Sequence, residues 1–135
     1  MKRKILLLFL TIFIFYLCGC GEKHTGEMDA VSSFTQMSEN CYEEKITIIA
    51  NMKDILDREE FAYSVIEKYL ANDFQSILFS FDELGYPYCL DATVYLTKED
   101  REKGNPEFKI IYKCESYEQN IKDNPDKCEL TIVIE

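Results

Sequence analysis

The sequence predicts an α+β fold in which one main amphipathic helix packs on a mostly antiparallel sheet of four to five strands. Apolar side chains between residues 61 and 70 recur at the spacing of one helix face. From residue 75 onward the chain alternates apolar and polar residues, which is the period of strands with one buried face. Because the helix and the strands each have an apolar side, we expect them to cover each other in one core.

The predicted helix has a defined start and end. Asp57 is a favourable N-cap, and Glu60 three residues later completes a capping-box pattern with Asp in place of Ser or Thr. Asn72 and Asp73 mark the end of the helical pattern. The apolar stripe that should face the sheet comprises Phe61, Ala62, Val65, Ile66, Tyr69 and Leu70.

Five segments are interpreted as strands. Residues 45–50 (KITIIA) are rich in β-branched side chains and form the first strand, before the helix. Four more strands follow the helix and are expected to form an antiparallel meander, with a first turn at Gly85 and Pro87. These four strands span residues 75–82, 88–97, 107–114 and 128–135.

Two connections carry clear local signals. Thr97 and Asp100 are placed to cap one helical turn over residues 98–103, which Gly104 ends. Residues 123–126 (DNPD) offer oxygen atoms for calcium but lack the spacing and glycine of an EF-hand loop. The second segment is therefore interpreted as a turn.

Residues 30–44 have an ambiguous pattern. Val31, Phe34 and Met37 recur at every third position, which favours a short helix, although polar residues dilute the signal. Such a segment would partly cover the second, mildly apolar face of the sheet. The apolar residues expected on that face are Leu78, Ile111 and Val133.

The first twenty residues have the architecture of an export signal. Lys2, Arg3 and Lys4 precede a thirteen-residue apolar run from position 5 to position 17, which only Thr11 interrupts. As a helix this run is about 20 Å long, against about 30 Å for the hydrocarbon core of a bilayer. Its length is typical of the apolar region of a signal peptide.

The run ends in Leu17-Cys18-Gly19-Cys20. This motif resembles the lipobox of bacterial lipoproteins, which has an apolar residue, a small residue and then a cysteine that accepts the lipid. The resemblance implies that residues 1–19 are a cleaved signal peptide and that Cys20 carries a diacylglycerol on its sulfur. The protein would then be anchored by lipid on the extracytoplasmic side of the cell membrane. The alternative is a plain secretory signal, or an uncleaved anchor with an incidental cysteine.

The processed chain is predicted to hold one domain. Residues 20–29 are polar and form the flexible tether between the lipid and the domain, which spans residues 30–135. Removal of residues 1–19 from the 135-residue chain leaves 116 residues. That length is enough for one domain with a hydrophobic core.

The predicted domain is strongly acidic. The full chain has 15 basic and 25 acidic residues, and loss of Lys2, Arg3 and Lys4 leaves 12 basic residues. The resulting net charge of about −13 disfavours nucleic-acid binding, because phosphate neutralisation requires a cationic surface. Two interpretations of the charge remain open, solubility and a cationic partner.

Four of the six cysteines belong to the domain once Cys18 is removed and Cys20 is acylated. An even number in an exported domain predicts two disulfides. Strand alternation places Cys114 and Cys128 on the same face of neighbouring strands, where they could pair. Cys89 has the opposite phase, which suits a partner in the N-terminal segment, namely Cys41. The predicted pairs are Cys114–Cys128 and Cys41–Cys89. No C-x-x-C spacing is present, so no metal site is expected.

The domain offers no familiar catalytic set and no cofactor motif. The single histidine, His24, lies in the tether, which leaves the domain without the usual general base. Tyr86 and Tyr88 flank Pro87, where they form either an exposed contact patch or packing over one end of the sheet. We therefore assign no catalytic residue. An envelope enzyme that relies on carboxylates alone is the remaining catalytic alternative.

The sequence favours a non-catalytic binding module at the cell envelope, tethered by Cys20, with a protein or peptide partner. The alternative is a membrane-held inhibitor or immunity protein against a toxin or hydrolase. In that case the negative charge would mimic a polyanionic substrate. The sequence leaves the identity of the partner and the oligomeric state open.

Overall fold

The computed structural model describes residues 26–134, which form a five-stranded, mostly antiparallel sheet with several helices. The strands lie in the sheet in the order in which they occur along the chain. The strands are β1 (Asp29–Ser38), β2 (Cys41–Ile49), β3 (Cys89–Tyr95), β4 (Phe108–Cys114) and β5 (Cys128–Val133). The helices are α1 (Arg58–Leu70), α2 (Phe81–Leu84) and α3 (Lys98–Glu102), with a 3₁₀ turn at Pro125–Lys127.

β1 and β2 form an antiparallel hairpin, so the helix expected within residues 30–44 is wrong. The three-residue spacing of Val31, Phe34 and Met37 does not define a helix face here. Phe34 pairs with Lys45 on one face of the sheet, and Met37 pairs with Tyr42 on the other. The segment is therefore an edge strand, and it does not cover the second face.

β2 and β3 are parallel, and α1 lies in the crossover between them. The Asp57 carboxylate accepts a hydrogen bond from the Glu60 backbone N–H at 3.0 Å, which confirms the predicted N-cap. The helix ends before Asn72, whose φ of 54° leaves the helical region. The buried residues of α1 are Phe61, Ala62, Val65, Ile66 and Tyr69.

The strand predicted over residues 75–82 is wrong. These residues form an irregular loop that leads into α2, and the aromatic rings pack around Tyr69 of α1 instead of joining the sheet. The Asn72 side chain accepts a hydrogen bond from the Phe79 N–H and donates one to the Phe79 carbonyl. These bonds replace those that a neighbouring strand would have supplied.

β3, β4 and β5 form the predicted antiparallel meander, reduced from four strands to three. The Thr97 hydroxyl accepts from the Asp100 N–H at 3.2 Å, which confirms the predicted cap of α3. Cys114 lies opposite Cys128 at the base of the β4–β5 connection, and the two form the predicted disulfide.

The two faces of the sheet differ in composition. One face packs against α1 and forms the core with side chains such as Ile48, Leu90 and Ile110, all fully buried. The opposite face carries mainly polar residues. The apolar residues Ile111 and Val133 also lie on this face, as predicted. Leu78 is 78% exposed in the loop and does not lie on this face. No helix within residues 26–134 is long and apolar enough to cross a membrane.

Candidate binding cleft

A cleft lies at the end of the sheet where β2 and β3 begin. Its volume is about 860 Å³. Three segments enclose it: the β1–β2 hairpin end, the loop from α2 to β3, and the loop after β4. The lining residues are Gln36, Ser38, Glu39, Asn40, Cys41, Tyr42, Glu43, Leu84, Tyr86, Tyr88, Tyr117, Glu118, Gln119 and Asn120.

Tyr42 and Tyr86 form the inner aromatic wall of the cleft. The buried Tyr42 side chain donates a hydrogen bond from Oη to the Gly85 carbonyl at 2.6 Å. Burial raises the pKa of the Tyr42 phenol to about 12, so this group stays protonated at physiological pH. The Tyr86 ring stacks on Phe81 with centroids 4.4 Å apart. This wall is therefore held by α2 and the loop that follows it.

Tyr88 and Tyr117 form a second pair of rings, with centroids 4.8 Å apart and planes at 75°. The Tyr88 backbone is fixed on both sides, because its N–H donates to the Tyr42 carbonyl and its carbonyl accepts from the Cys114 N–H. Tyr117 is 66% exposed. The pair thus combines an anchored ring with a ring open to solvent at nearly a right angle.

The carboxylates of the lining are Glu39, Glu43 and Glu118, and no lysine or arginine is among the lining residues. Burial raises the pKa of the Tyr88 phenol, and the nearby Glu43 carboxylate adds to the shift. The cleft therefore combines aromatic faces with negative charge.

Two lysines outside the lining contact the tyrosine rings. Lys122 Nζ lies 4.8 Å from the centroid of the Tyr86 ring and donates a hydrogen bond to Tyr86 Oη at 3.2 Å. Lys113 Nζ lies 5.8 Å from the centroid of the Tyr88 ring. Both distances are in the range of cation–π interactions, so each of these two rings contacts a lysine ammonium group in the folded protein.

The loop after β4 is held by contacts at both ends. The Cys114–Cys128 disulfide closes its base, and the Ile121 N–H donates to the Pro87 carbonyl at 3.0 Å, which ties it to the loop before β3. The Ile121 side chain is fully buried. Residues 121–123 form a turn in which Asn120 Oδ1 accepts from two backbone N–H groups. The predicted turn at residues 123–126 continues from it into the 3₁₀ turn at Pro125–Lys127.

Cys41 and Cys89 are free, so the predicted Cys41–Cys89 disulfide does not form. The β2–β3 register places Cys89 opposite Glu43, and Cys41 lies two residues before Glu43, at the start of β2. The diagonal separation of such Cα atoms is about 8 Å, beyond the reach of a disulfide without backbone movement. Burial, with a contribution from the Glu43 carboxylate, raises the pKa of the Cys89 thiol to about 12.

Among residues 26–134 one carboxylate is buried, that of Glu44, which lies next to the cleft on the core face of β2 and does not line it. Its Oε2 accepts from the Thr35 hydroxyl at 2.8 Å, and burial raises the pKa of its carboxyl group. The Tyr69 hydroxyl is buried and has no hydrogen-bond partner among the described residues. Burial also raises the pKa of the Tyr69 phenol.

Sequence reasoning found part of this site. It identified Tyr86 and Tyr88 and left open whether they form a contact patch or pack over the end of the sheet. In the structure both residues line the cleft, and the Tyr86 ring stacks on Phe81 of α2. It missed the contributions of Tyr42, Tyr117 and the glutamates, because three distant segments supply them. The only local signal is that tyrosines occur near several strand ends.

The predicted lipidation site, Cys20, lies outside the described residues. Within residues 26–134 no group of three or more His, Cys, Asp or Glu side chains is arranged to hold a metal ion. No protein-family model, no curated protein and no solved structure matches this chain.

Proposed function

We propose that this protein is a lipid-anchored binding module of the cell envelope, and that the tyrosine-lined cleft binds a cationic segment of a protein or peptide partner. The observation that carries the proposal is the composition of the cleft. Four tyrosines and three glutamates line it, without a lysine or arginine among the lining residues.

The tyrosines suit a binding role on physical grounds. Tyrosine offers a large apolar surface with a polar end and loses little conformational entropy when it is ordered. Here backbone hydrogen bonds fix the main chain of Tyr88, and stacking on Phe81 fixes the Tyr86 ring, before any ligand arrives. Preorganisation of this kind reduces the entropic cost of association.

The glutamates set the sign of the expected ligand. A lysine or arginine side chain that enters the cleft meets Glu39, Glu43 and Glu118 together with the ring faces of the tyrosines. Cation–π contacts are worth about 0.5–2 kcal/mol each. The Lys122–Tyr86 contact is an intramolecular precedent for this chemistry.

The tether limits where such a module acts. Between Cys20 and the start of β1 at Asp29 there are nine residue steps. At about 3.3–3.6 Å per residue the fully extended tether reaches about 30 Å. A lipid on Cys20 would therefore keep the start of β1 within about 30 Å of the membrane surface, with the cleft at the opposite end of that strand.

The proposed anchor is tested by expressing the full chain with Cys20→Ala and fractionating the cells. We expect the wild-type chain in the membrane fraction and the variant in the soluble extracytoplasmic fraction. Retention of the variant in the membrane fraction would contradict lipid anchoring at Cys20.

The cleft is tested with two synthetic peptides of equal length, one rich in lysine and one rich in glutamate. We expect the full chain to bind the lysine peptide only. Tyr117→Ala should weaken binding about tenfold, because one aromatic wall is lost. Tyr63→Ala is the matched control, since Tyr63 is an exposed tyrosine on α1, outside the cleft. Equal loss in both variants, or equal binding of both peptides, would contradict the proposal.

The acidic cleft also fits the alternative of an inhibitor or immunity protein directed at a cationic enzyme. Crosslinked pull-down with wild-type and Tyr117→Ala chains separates the two functions. A basic hydrolase or toxin whose activity falls on binding would favour the inhibitor. A partner without enzymatic activity would favour the binding module.

A further inference from the structure

The outer edge of β1 is unprotected in the part of the chain that the structure describes. There, β1 pairs only with β2, so the backbone groups along its other side lack a strand partner. Such an edge is a template for pairing with another chain, and proteins usually block it with lysine, proline or a covering segment. The ten residues of β1, DAVSSFTQMS, contain no lysine, arginine or proline.

The same strand exposes two large apolar side chains. Phe34 is 63% exposed and Met37 is 59% exposed. Phe34 lies on the open face of the sheet, opposite Lys45, near the middle of β1. Strand addition at this edge would bury part of both side chains.

We propose that β1 pairs antiparallel with β1 of a second copy of this chain, across a two-fold axis at Phe34. In this register Phe34 faces its counterpart on the same side of the joined sheet. Ser33 faces Thr35 and Ser32 faces Gln36, so the five central pairs are uncharged. The two five-stranded sheets then form one continuous ten-stranded sheet. Gln36 and Ser38 of β1 line the cleft, so the cleft of each copy lies beside the new strand pair.

Electrostatics allow a second copy to approach at this edge. The chain has a net charge of −10, which opposes self-association over most of its surface. β1 has no charged side chain from Ala30 to Ser38, so its edge is a neutral strip on an acidic molecule. Aromatic cross-strand pairs and the absence of opposed like charges stabilise antiparallel pairing.

Symmetry also favours pairing of β1 with β1 over pairing of β1 with β5, the strand at the other edge of the sheet. Pairing of β1 with β1 closes into a dimer, whereas pairing of β1 with β5 of another copy would leave free edges and propagate into filaments. β5 has only six residues and includes Glu129. The irregularity between Ala30 and Ser32 confines regular pairing to the region around Phe34.

The dimer is tested by sedimentation equilibrium of the full chain in a density-matched neutral detergent. We expect the wild-type chain to sediment as a dimer. Phe34→Lys places two ammonium groups opposite each other, and Phe34→Glu places two carboxylates there. Each variant alone should raise the dimer dissociation constant at least about tenfold.

A mixture of the two variants should recover the dimer, because opposite charges then meet across the axis. Thr131→Lys is the control, since it adds the same charge at an exposed position of β5; it should leave the dimer intact. A monomeric wild type, an intact dimer in Phe34→Lys, or a mixture that stays monomeric would overturn the proposal.

A second measurement needs no substitution and is independent of how the variants fold. Amide hydrogen exchange of the wild-type chain is compared at low and high protein concentration. We expect residues 32–36 to exchange more slowly at high concentration, while residues 129–133 of β5 remain unchanged. Exchange of residues 32–36 that is independent of concentration would overturn the proposed interface.

Discussion

At the scale of single residues, three buried groups show how position decides chemistry. Glu44, Tyr42 and Cys89 lie on adjacent strands and all have raised pKa values, chiefly because burial disfavours their charged forms. Their partners differ: Glu44 accepts from Thr35, Tyr42 donates to Gly85, and Cys89 faces Glu43. Glu44 is therefore a source of pH-dependent stability, and the Cys89 thiol is inert.

Glu44→Gln is predicted to change how stability depends on pH. Burial raises the pKa of the Glu44 carboxyl group in the folded protein above its value in the unfolded chain. The folded state therefore holds this proton more tightly, and the free energy of unfolding decreases as the pH rises from the unfolded pKa through the folded pKa. Glutamine cannot ionise and keeps an acceptor for Thr35. We expect the variant to match the wild type in mildly acidic buffer and to exceed it in free energy of unfolding at pH 7–8.

Denaturant titrations at several pH values measure this difference. Glu129→Gln is the control, because Glu129 is exposed on β5. A wild-type stability that increases between pH 5 and pH 8 relative to Glu44→Gln would show that the carboxylate is stabilising, contrary to this prediction.

The two free cysteines are predicted to differ in reactivity. Cys89 is 2% exposed with a pKa of about 12, so almost none of it is thiolate near neutral pH. Cys41 is half-buried and lines the cleft. We expect iodoacetamide to modify Cys41 at least about tenfold faster than Cys89 in the native protein, as followed by peptide mass mapping. Equal rates in the native state would contradict the buried position of Cys89.

At the scale of elements, local signals explain some segments and fail for others. The cap at Asp57 and the alternation in β3 to β5 are local patterns that the structure confirms, and five of the six residues of the predicted stripe of α1 are buried. β1 was missed because an edge strand buries few residues and therefore shows no strong alternation. Residues 75–82 alternate like a strand, yet their aromatic rings pack on α1, which no local pattern distinguishes.

Asp57→Ala is predicted to lower the free energy of unfolding by about 1 kcal/mol, since the side chain caps the Glu60 N–H of α1. Asp54→Ala removes the same charge at an exposed position before the helix and is the control. Chemical denaturation monitored by circular dichroism measures both. An equal loss in the control would point to charge alone and contradict the capping role.

Removal of the Cys114–Cys128 disulfide is predicted to affect both stability and binding. The bond spans 14 positions, and closure of such a loop contributes about 3 kcal/mol in the chain-entropy model. The loop it closes carries Tyr117 and Glu118, which line the cleft. We expect the double Ser variant to unfold at lower denaturant and to bind the lysine peptide more weakly. Unchanged stability would contradict the structural role of the bond.

At the scale of the whole molecule, the cleft depends on topology that the sequence does not encode locally. Its walls come from residues near positions 40, 86 and 118, which meet because β2 and β3 pair in parallel and β4 follows β3. The alternation of side chains along the strands was enough to predict the Cys114–Cys128 pair, because both cysteines belong to one hairpin. The Cys41–Cys89 prediction failed because the parallel register shifts those residues apart along their strands.

The proposed anchor, cleft and edge would act together in one arrangement. A short tether would hold the acidic domain near the membrane, the cleft would receive a cationic segment, and pairing through β1 would place two clefts side by side. Two linked sites raise the avidity for a partner with repeated basic segments. The cleft is the central claim, because both the anchor and the dimer serve it.

The most direct test is an NMR titration of the ¹⁵N-labelled full chain in detergent with the lysine-rich peptide. We expect saturable shifts of the amide signals of Glu43, Tyr88, Tyr117 and Glu118, with those of α1 around Tyr63 unchanged, and no shifts with the glutamate-rich peptide. Shifts confined to other surfaces, or shifts of equal size with both peptides, would contradict the assignment of this cleft as a site for cationic ligands.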